Sequence, residues 1–249
     1  MFPSVRRPLI ERYAELLATE GVVRGLIGPR ETPRLWDRHL LNCAVLAELV
    51  PDGATVCDVG SGAGLPGLVL AIARPDLLVT LVEPLLRRTT FLTEVAEQLE
   101  LGNVEVERAR ADALHGRRTF DVVTSRAVAP LDRLLGWSMP LVAAHGELLA
   151  MKGSSVADEV AAAGPTLREL GCAEPQVAVL GSDRLETPTY ALRVAWADPA
   201  HVSWPLAAGA VAGPRGRDGG SPPSAAEKGE RTRRSDGGRR SKSKRRRQG

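Results

Sequence analysis

The segment Thr55-Val56-Cys57-Asp58-Val59-Gly60-Ser61-Gly62-Ala63-Gly64-Leu65-Pro66-Gly67-Leu68-Val69-Leu70 constrains the fold of this chain more than any other. A β-branched run ends at an acidic residue, glycines follow at every second position, and an apolar run of helical character begins. Such a strand, loop and helix open the α/β folds that bind nucleotide-like ligands at one end of a parallel sheet. Glycine is needed there because the backbone turns sharply and comes close to a ligand with no Cβ between them. Three alternating glycines lose more backbone entropy than packing alone explains.

The rest of the chain extends this opening. Strands are predicted at 55–59, 78–83, 104–107, 121–125 and 147–152, alternating with helices at 66–73, 86–100, 131–142 and 156–170. Pro66 suits a first helical turn, where its missing N–H leaves nothing unpaired. Two late strands, 174–180 and 189–197, have only the turn-rich Gly181-Ser182-Asp183 between them. The expected fold class is therefore α/β: a Rossmann-like, mostly parallel sheet with an antiparallel C-terminal strand. Upstream, Leu9, Tyr13, Leu16 and Leu17 mark a helix over 5–20, and Leu40, Leu41, Val45, Leu46 and Leu49 a second over 35–50. The stretch 21–33 between them reads as a loop. This divides the chain into an N-terminal helical cap (1–52), an α/β domain (53–200) and a basic tail expected to be disordered (205–249).

Charge separates the tail from the body. The whole chain carries +3, yet residues 214–249 hold thirteen Lys/Arg against four Asp/Glu, net +9, which leaves −6 for the preceding 213. Such a tail suits electrostatic anchoring on nucleic acid, without sequence reading. The sequence holds no uncharged apolar run of 18 residues, so no membrane span is expected. Arg6-Arg7 is not followed by an apolar stretch, so no secretory signal is expected. Cys43, Cys57 and Cys172 are scattered and odd in number, which fits a reducing cytoplasm and gives no metal or disulfide spacing.

The glycine loop alone fits two ligands. Gly62-Ala63-Gly64-Leu65-Pro66-Gly67 matches a dinucleotide fingerprint, and Gly60-Ser61-Gly62-Ala63-Gly64 matches the loop of S-adenosylmethionine-dependent methyltransferases. A dinucleotide brings a pyrophosphate to the helix N-terminus, and Asp58 would oppose it. S-adenosylmethionine carries a sulfonium and an ammonium, which a strand-end carboxylate attracts. Glu83, 21 residues past Gly62, is placed to accept both ribose hydroxyls, and Asp112, flanked by Ala111, to take the adenine amine. Carboxylates at three successive strand ends with no phosphate clamp favour the methyl donor, with a nicotinamide oxidoreductase as the alternative.

Four motifs then resemble the bacterial 16S ribosomal RNA guanine-N7 methyltransferases, the glucose-inhibited division protein B family. They are Leu35-Trp36-Asp37-Arg38-His39-Leu40-Leu41-Asn42, the loop from Asp58 to Gly67, Ser125-Arg126-Ala127-Val128-Ala129-Pro130-Leu131, and Met151-Lys152-Gly153. The resemblance covers about residues 10–197. It implies transfer of a methyl group from S-adenosylmethionine to N7 of a guanine in 16S ribosomal RNA of the small ribosomal subunit, by a cytoplasmic monomer. The cofactor contacts it implies are Gly60, Leu65, Glu83, Ala111, Asp112 and Arg126. Many members have Asp-Ser where this chain has Asn42-Cys43, and the basic tail lies outside the common pattern.

Guanine N7 has an in-plane lone pair and no proton, so no general base is expected; the catalytic task is positioning. Arg126 is assigned to the cofactor and an RNA phosphate, with pairing to Asp132 or Asp112 as the alternative. Lys152 is a candidate RNA contact or a strand-end lysine with a buried stem. His39 reads as a hydrogen-bonded packing residue rather than a catalyst, and Trp36 and Trp137 as core or interface residues. Other readings are a methyltransferase acting on another RNA or on a small molecule, and an RNA-binding module without catalysis.

Overall fold

Residues 1–202 are described by the structure, a computed structural model; the basic segment 205–249 lies outside the described residues. Strands β1 (Thr55–Val59), β2 (Leu78–Val82), β3 (Val104–Glu107), β4 (Phe120–Arg126), β5 (Val142–Lys152), β6 (Gln176–Leu180) and β7 (Thr189–Ala195) form one sheet in the order β3-β2-β1-β4-β5-β7-β6. The pairs from β3 through β5 are parallel, and β7 runs antiparallel between β5 and β6. The order reverses between β1 and β4. In an open α/β sheet such a switch point leaves a crevice beyond the carboxyl ends of the strands, because the flanking connections diverge to opposite faces.

Strand β1 shows why the sheet needs cover on both sides. Val56 packs into one core cluster and Cys57 and Val59 into the other, as the two-residue period of a strand requires. Helix α1 (Arg7–Leu16), the short α2 (Leu41–Ala44), α3 (Gly67–Ala73) and α4 (Leu86–Gln98) cover the first face; α5 (Leu131–Ser138), α6 (Val156–Ala162) and α7 (Gly164–Glu169) cover the second. All seven residues of α3 are buried, because the cap packs over it from outside. Leu68, Val69, Leu70 and Ile72 are fully buried there, each contributing about 1.5–3 kcal/mol relative to exposure. Ile10, Leu17, Leu40 and Leu46 of the cap share that core, so the cap and the sheet bury one apolar interior between them.

Prolines account for several departures from the predicted boundaries. The helix predicted over 131–142 ends at Ser138, and Pro140 sits in a 3-10 turn, Met139–Leu141, before β5 begins at Val142. The helix predicted over 156–170 is two, with Pro165 just past the break. Proline removes an N–H and its ring crowds the preceding turn, so neither helix runs through. The cap is less regular than its periodicity implies. Both of its predicted helices contain π-helical turns, Leu17–Gly21 and Leu35–Leu40, and the supposed loop between them holds a 3-10 turn, Pro29–Arg34. Among the described residues, no helix is long and apolar enough to cross a membrane.

Candidate active site

A cavity of about 570 Å³ opens at the carboxyl ends of β1 to β4, at the switch point. Gly60, Leu65, Glu83, Ala111, Asp112 and Arg126, which lie far apart in sequence, all line it. Lys152 does not: its side chain is 9% exposed and its Nζ donates to Glu159 Oε2 at 2.7 Å.

The glycine loop closes on itself. Its amides are donated internally: Gly60 and Ser61 to Val82 O, Gly64 and Leu65 to Ser61 O, and Leu68 to Gly64 O. Gly62 N–H donates to Glu83 Oε2 at 3.1 Å, and Gly67 N–H to Asp58 Oδ2 at 3.0 Å. A pyrophosphate site needs such amides free to donate. Here the amides of Gly60, Ser61, Gly62, Gly64, Leu65, Gly67 and Leu68 already have acceptors, and two of those acceptors are carboxylates. Gly60 has φ +71°, and an added Cβ would stand 3.0 Å from Val128 Cγ2. Tyr13 of α1 fixes the loop from behind, its hydroxyl donating to Ala63 O at 2.7 Å.

Asp58 requires a correction. The sequence places this carboxylate at a strand end facing a cationic ligand, but it is fully buried and does not line the cavity. It acts on the protein, holding the first amide of α3. Its Oδ1 has no hydrogen-bond partner, and burial raises its pKa to about 7 against the opposing pull of the Gly67 amide. The carboxylates that do line the cavity are Glu83 and Asp112, and Glu83 is the more tightly held. It accepts from Gly62 N–H and from Arg88 Nη1 (3.3 Å) on Oε2, and from Leu85 N–H (3.1 Å) on Oε1. Asp112 is half exposed and bonds Arg110 Nε at 3.3 Å.

Arg126 ends β4 at the cavity wall. It pairs with neither Asp132 nor Asp112: its Nη1 lies 2.9 Å from His39 Nδ1. His39 in turn lies 3.0 Å from Glu31 Oε2 through Nε2. Trp36 is 39% exposed, while Trp137 is partly buried and lines the cavity.

Other lining residues carried little signal in the sequence. Leu26 and Ile27 come from the supposed loop of the cap, and Leu85 and Arg88 from the start of α4. Ala127 has φ +53°, a left-handed conformation that costs a non-glycine residue about 1–2 kcal/mol. It sits where the chain leaves β4 and brings Val128 over Gly60. Nothing about an alanine announces that role.

S-adenosylmethionine fits these residues on two counts. Glu83 is an acceptor-only group in the cavity wall, and the loop amides of Gly60, Ser61, Gly62, Gly64 and Leu65 are already satisfied within the protein rather than held open for a phosphate. Residues 6–185 match the family GidB, rRNA small subunit methyltransferase G. The chain belongs to this family. Among its relatives, the ribosomal RNA small subunit methyltransferase G of Nocardioides sp. is 70% identical over 219 residues, covering 88% of this chain and 86% of that protein. Proteins of the same name from Streptomyces avermitilis and Salinispora arenicola are each 58% identical, covering 74% and 76% of this chain and 77% and 81% of theirs. Membership of a methyltransferase family implies S-adenosylmethionine as the methyl donor, in agreement with the chemistry of the cavity.

Proposed function

We propose that this protein transfers the methyl group of S-adenosylmethionine to N7 of a guanine in 16S ribosomal RNA of the small ribosomal subunit. The observation that carries the reading is the arrangement of the cavity. Carboxylates stand at the ends of β2 and β3, the amides of Gly60, Ser61, Gly62, Gly64, Leu65 and Gly67 have acceptors within the protein, and one arginine stands at the end of β4. A nicotinamide dinucleotide would have to displace those acceptors before these amides could cradle its diphosphate.

When bound, S-adenosylmethionine supplies an electrophilic methyl group on a sulfonium. The chain's own residues hold and orient. Glu83 would accept from the two ribose hydroxyls on oxygens held by Gly62, Leu85 and Arg88. Asp112 and the Ala111 backbone take the adenine edge, and Gly60 and Leu65 leave the backbone of the loop close to the donor. Arg126 holds the donor and an RNA phosphate at the cavity mouth. Guanine N7 attacks through its own lone pair, so no side chain has to remove a proton. Alignment of nucleophile, methyl and leaving sulfur is the main contribution, worth up to ~7–11 kcal/mol in well-oriented systems.

The substrate must present an unpaired or extruded guanine to this mouth. A protein that modifies the small ribosomal subunit works in the cytoplasm, and we take it to act there as a monomer. The deciding experiment incubates the protein with labelled S-adenosylmethionine and small ribosomal subunits that lack the modification, then maps N7-methylguanine by strand cleavage at the modified base. Label in the RNA without cleavage at a guanine refutes the N7 assignment. Retention of NAD in place of S-adenosylhomocysteine refutes the cofactor.

A further inference from the structure

Arginine only donates hydrogen bonds, so the 2.9 Å contact from Arg126 Nη1 makes His39 Nδ1 an acceptor. The ring proton then sits on Nε2, where the Glu31 carboxylate accepts it at 3.0 Å. Only the neutral ring with its proton on Nε2 serves both neighbours. The backbone puts His39 in this place through the π-helical turn Leu35–Leu40, a rare geometry that re-aims side chains within a helix. Glu31 comes from the 3-10 turn Pro29–Arg34, so the cap reaches the cavity wall through one imidazole.

We infer that neutral His39 is a positioning residue for methyl transfer, fixing where the Arg126 guanidinium faces the cavity by accepting its N–H while Glu31 holds the ring. This rests on the reading of Arg126 as part of the donor and RNA site. Without His39, the guanidinium has several rotamers at the cavity mouth and no fixed partner from the cap. The charged groups around the ring are Arg126 from β4, Glu31 from the preceding turn and Arg38 beside it in sequence. Burial and Arg126 hold its pKa below the ordinary histidine value of 6.5, and Glu31 opposes them. Protonation would set N–H against N–H and positive charge against the guanidinium.

The test is a double-mutant cycle of His39→Ala and Arg126→Ala, with His39→Asn and His39→Gln beside it. Each variant is read by calorimetric affinity for S-adenosylhomocysteine and by kcat and KM on unmodified small ribosomal subunits. Asparagine places an acceptor near the Nδ1 position, glutamine near Nε2. His39→Ala is expected to lose on the order of tenfold or more in affinity or kcat/KM. It should add nothing further in the Arg126→Ala background, with His39→Asn restoring most of the loss and His39→Gln little. The wild-type rate should fall with acid below pH 6.5, and this limb should be absent in His39→Asn. If the two alanine effects add in full, or if asparagine and glutamine behave alike with the acid limb retained, His39 does not act through Arg126. If Arg126→Ala itself changes neither affinity nor transfer, the reading of Arg126 fails first and this inference with it.

Discussion

Replacing Glu83 by glutamine tests the cavity at its most constrained point. The residue is 1% exposed and accepts three hydrogen bonds, from Gly62 N–H, Arg88 Nη1 and Leu85 N–H. Glutamine has the same shape and one acceptor oxygen. Placed to keep Gly62 and Arg88, it turns its NH2 group on the Leu85 amide, donor against donor; flipped, it opposes the other two. The better choice strands one buried amide, a loss of about 1–3 kcal/mol in fold stability. One ribose hydroxyl then keeps a neutral acceptor in place of a charged one and the other meets an NH2 group to which it cannot donate, about 1–1.5 kcal/mol for each and ~2–3 kcal/mol for the pair. The affinity for S-adenosylhomocysteine should therefore fall by ~30- to 150-fold, measured by calorimetry at a temperature where thermal unfolding confirms a folded variant. A loss of less than threefold in a folded Glu83→Gln protein would mean that Glu83 supports the loop and does not hold the ribose.

Gly67→Ala should be poorly tolerated, because its Cβ would meet Asp58 Oδ2 at 2.7 Å and the Leu81 side chain closer still. Urea unfolding should show a loss of about 1–3 kcal/mol or more, as overpacking produces; an unchanged midpoint would refute the tight seating of α3. Asp58→Asn should flatten the pH dependence of stability. The Asp58 pKa rises from its ordinary 3.8 to about 7 on folding, so the folded state binds the proton more tightly and wild-type stability falls as pH rises through that window. The variant should lack this decline and be the more stable protein above pH 7; a steeper decline would reverse the sign of the argument. Removing residues 214–249, net +9, should weaken RNA binding and lower its salt slope while leaving S-adenosylhomocysteine affinity unchanged. An equal slope in the shortened chain would exclude the segment as an anchor.

The glycine loop and the strand–helix alternation were legible because they are local. Alternating burial in a strand, the turn a glycine permits and the period of α4 depend on residues close in the chain. The ends of α5 and α6 were misjudged because Pro140 and Pro165 act against an otherwise continuous apolar pattern. The π-helical turns of the cap left no mark in its periodicity, and with them went the place of His39.

What the sequence by itself determined is the kind of loop, the alternation of strands and helices along the chain, and the carboxylates and glycines that are candidates for a methyl-donor site. The tertiary structure decided how each is used. Asp58 and Glu83 are both carboxylates after β-branched runs, yet one is sealed beneath the loop and the other stands in the cavity wall. Likewise Lys152 and Arg126 are both basic strand ends, but Glu159 captures the first and the second meets His39 across 87 residues of chain. A side chain's chemistry belongs to the residue, whereas its burial and its partner depend on which distant elements pack beside it.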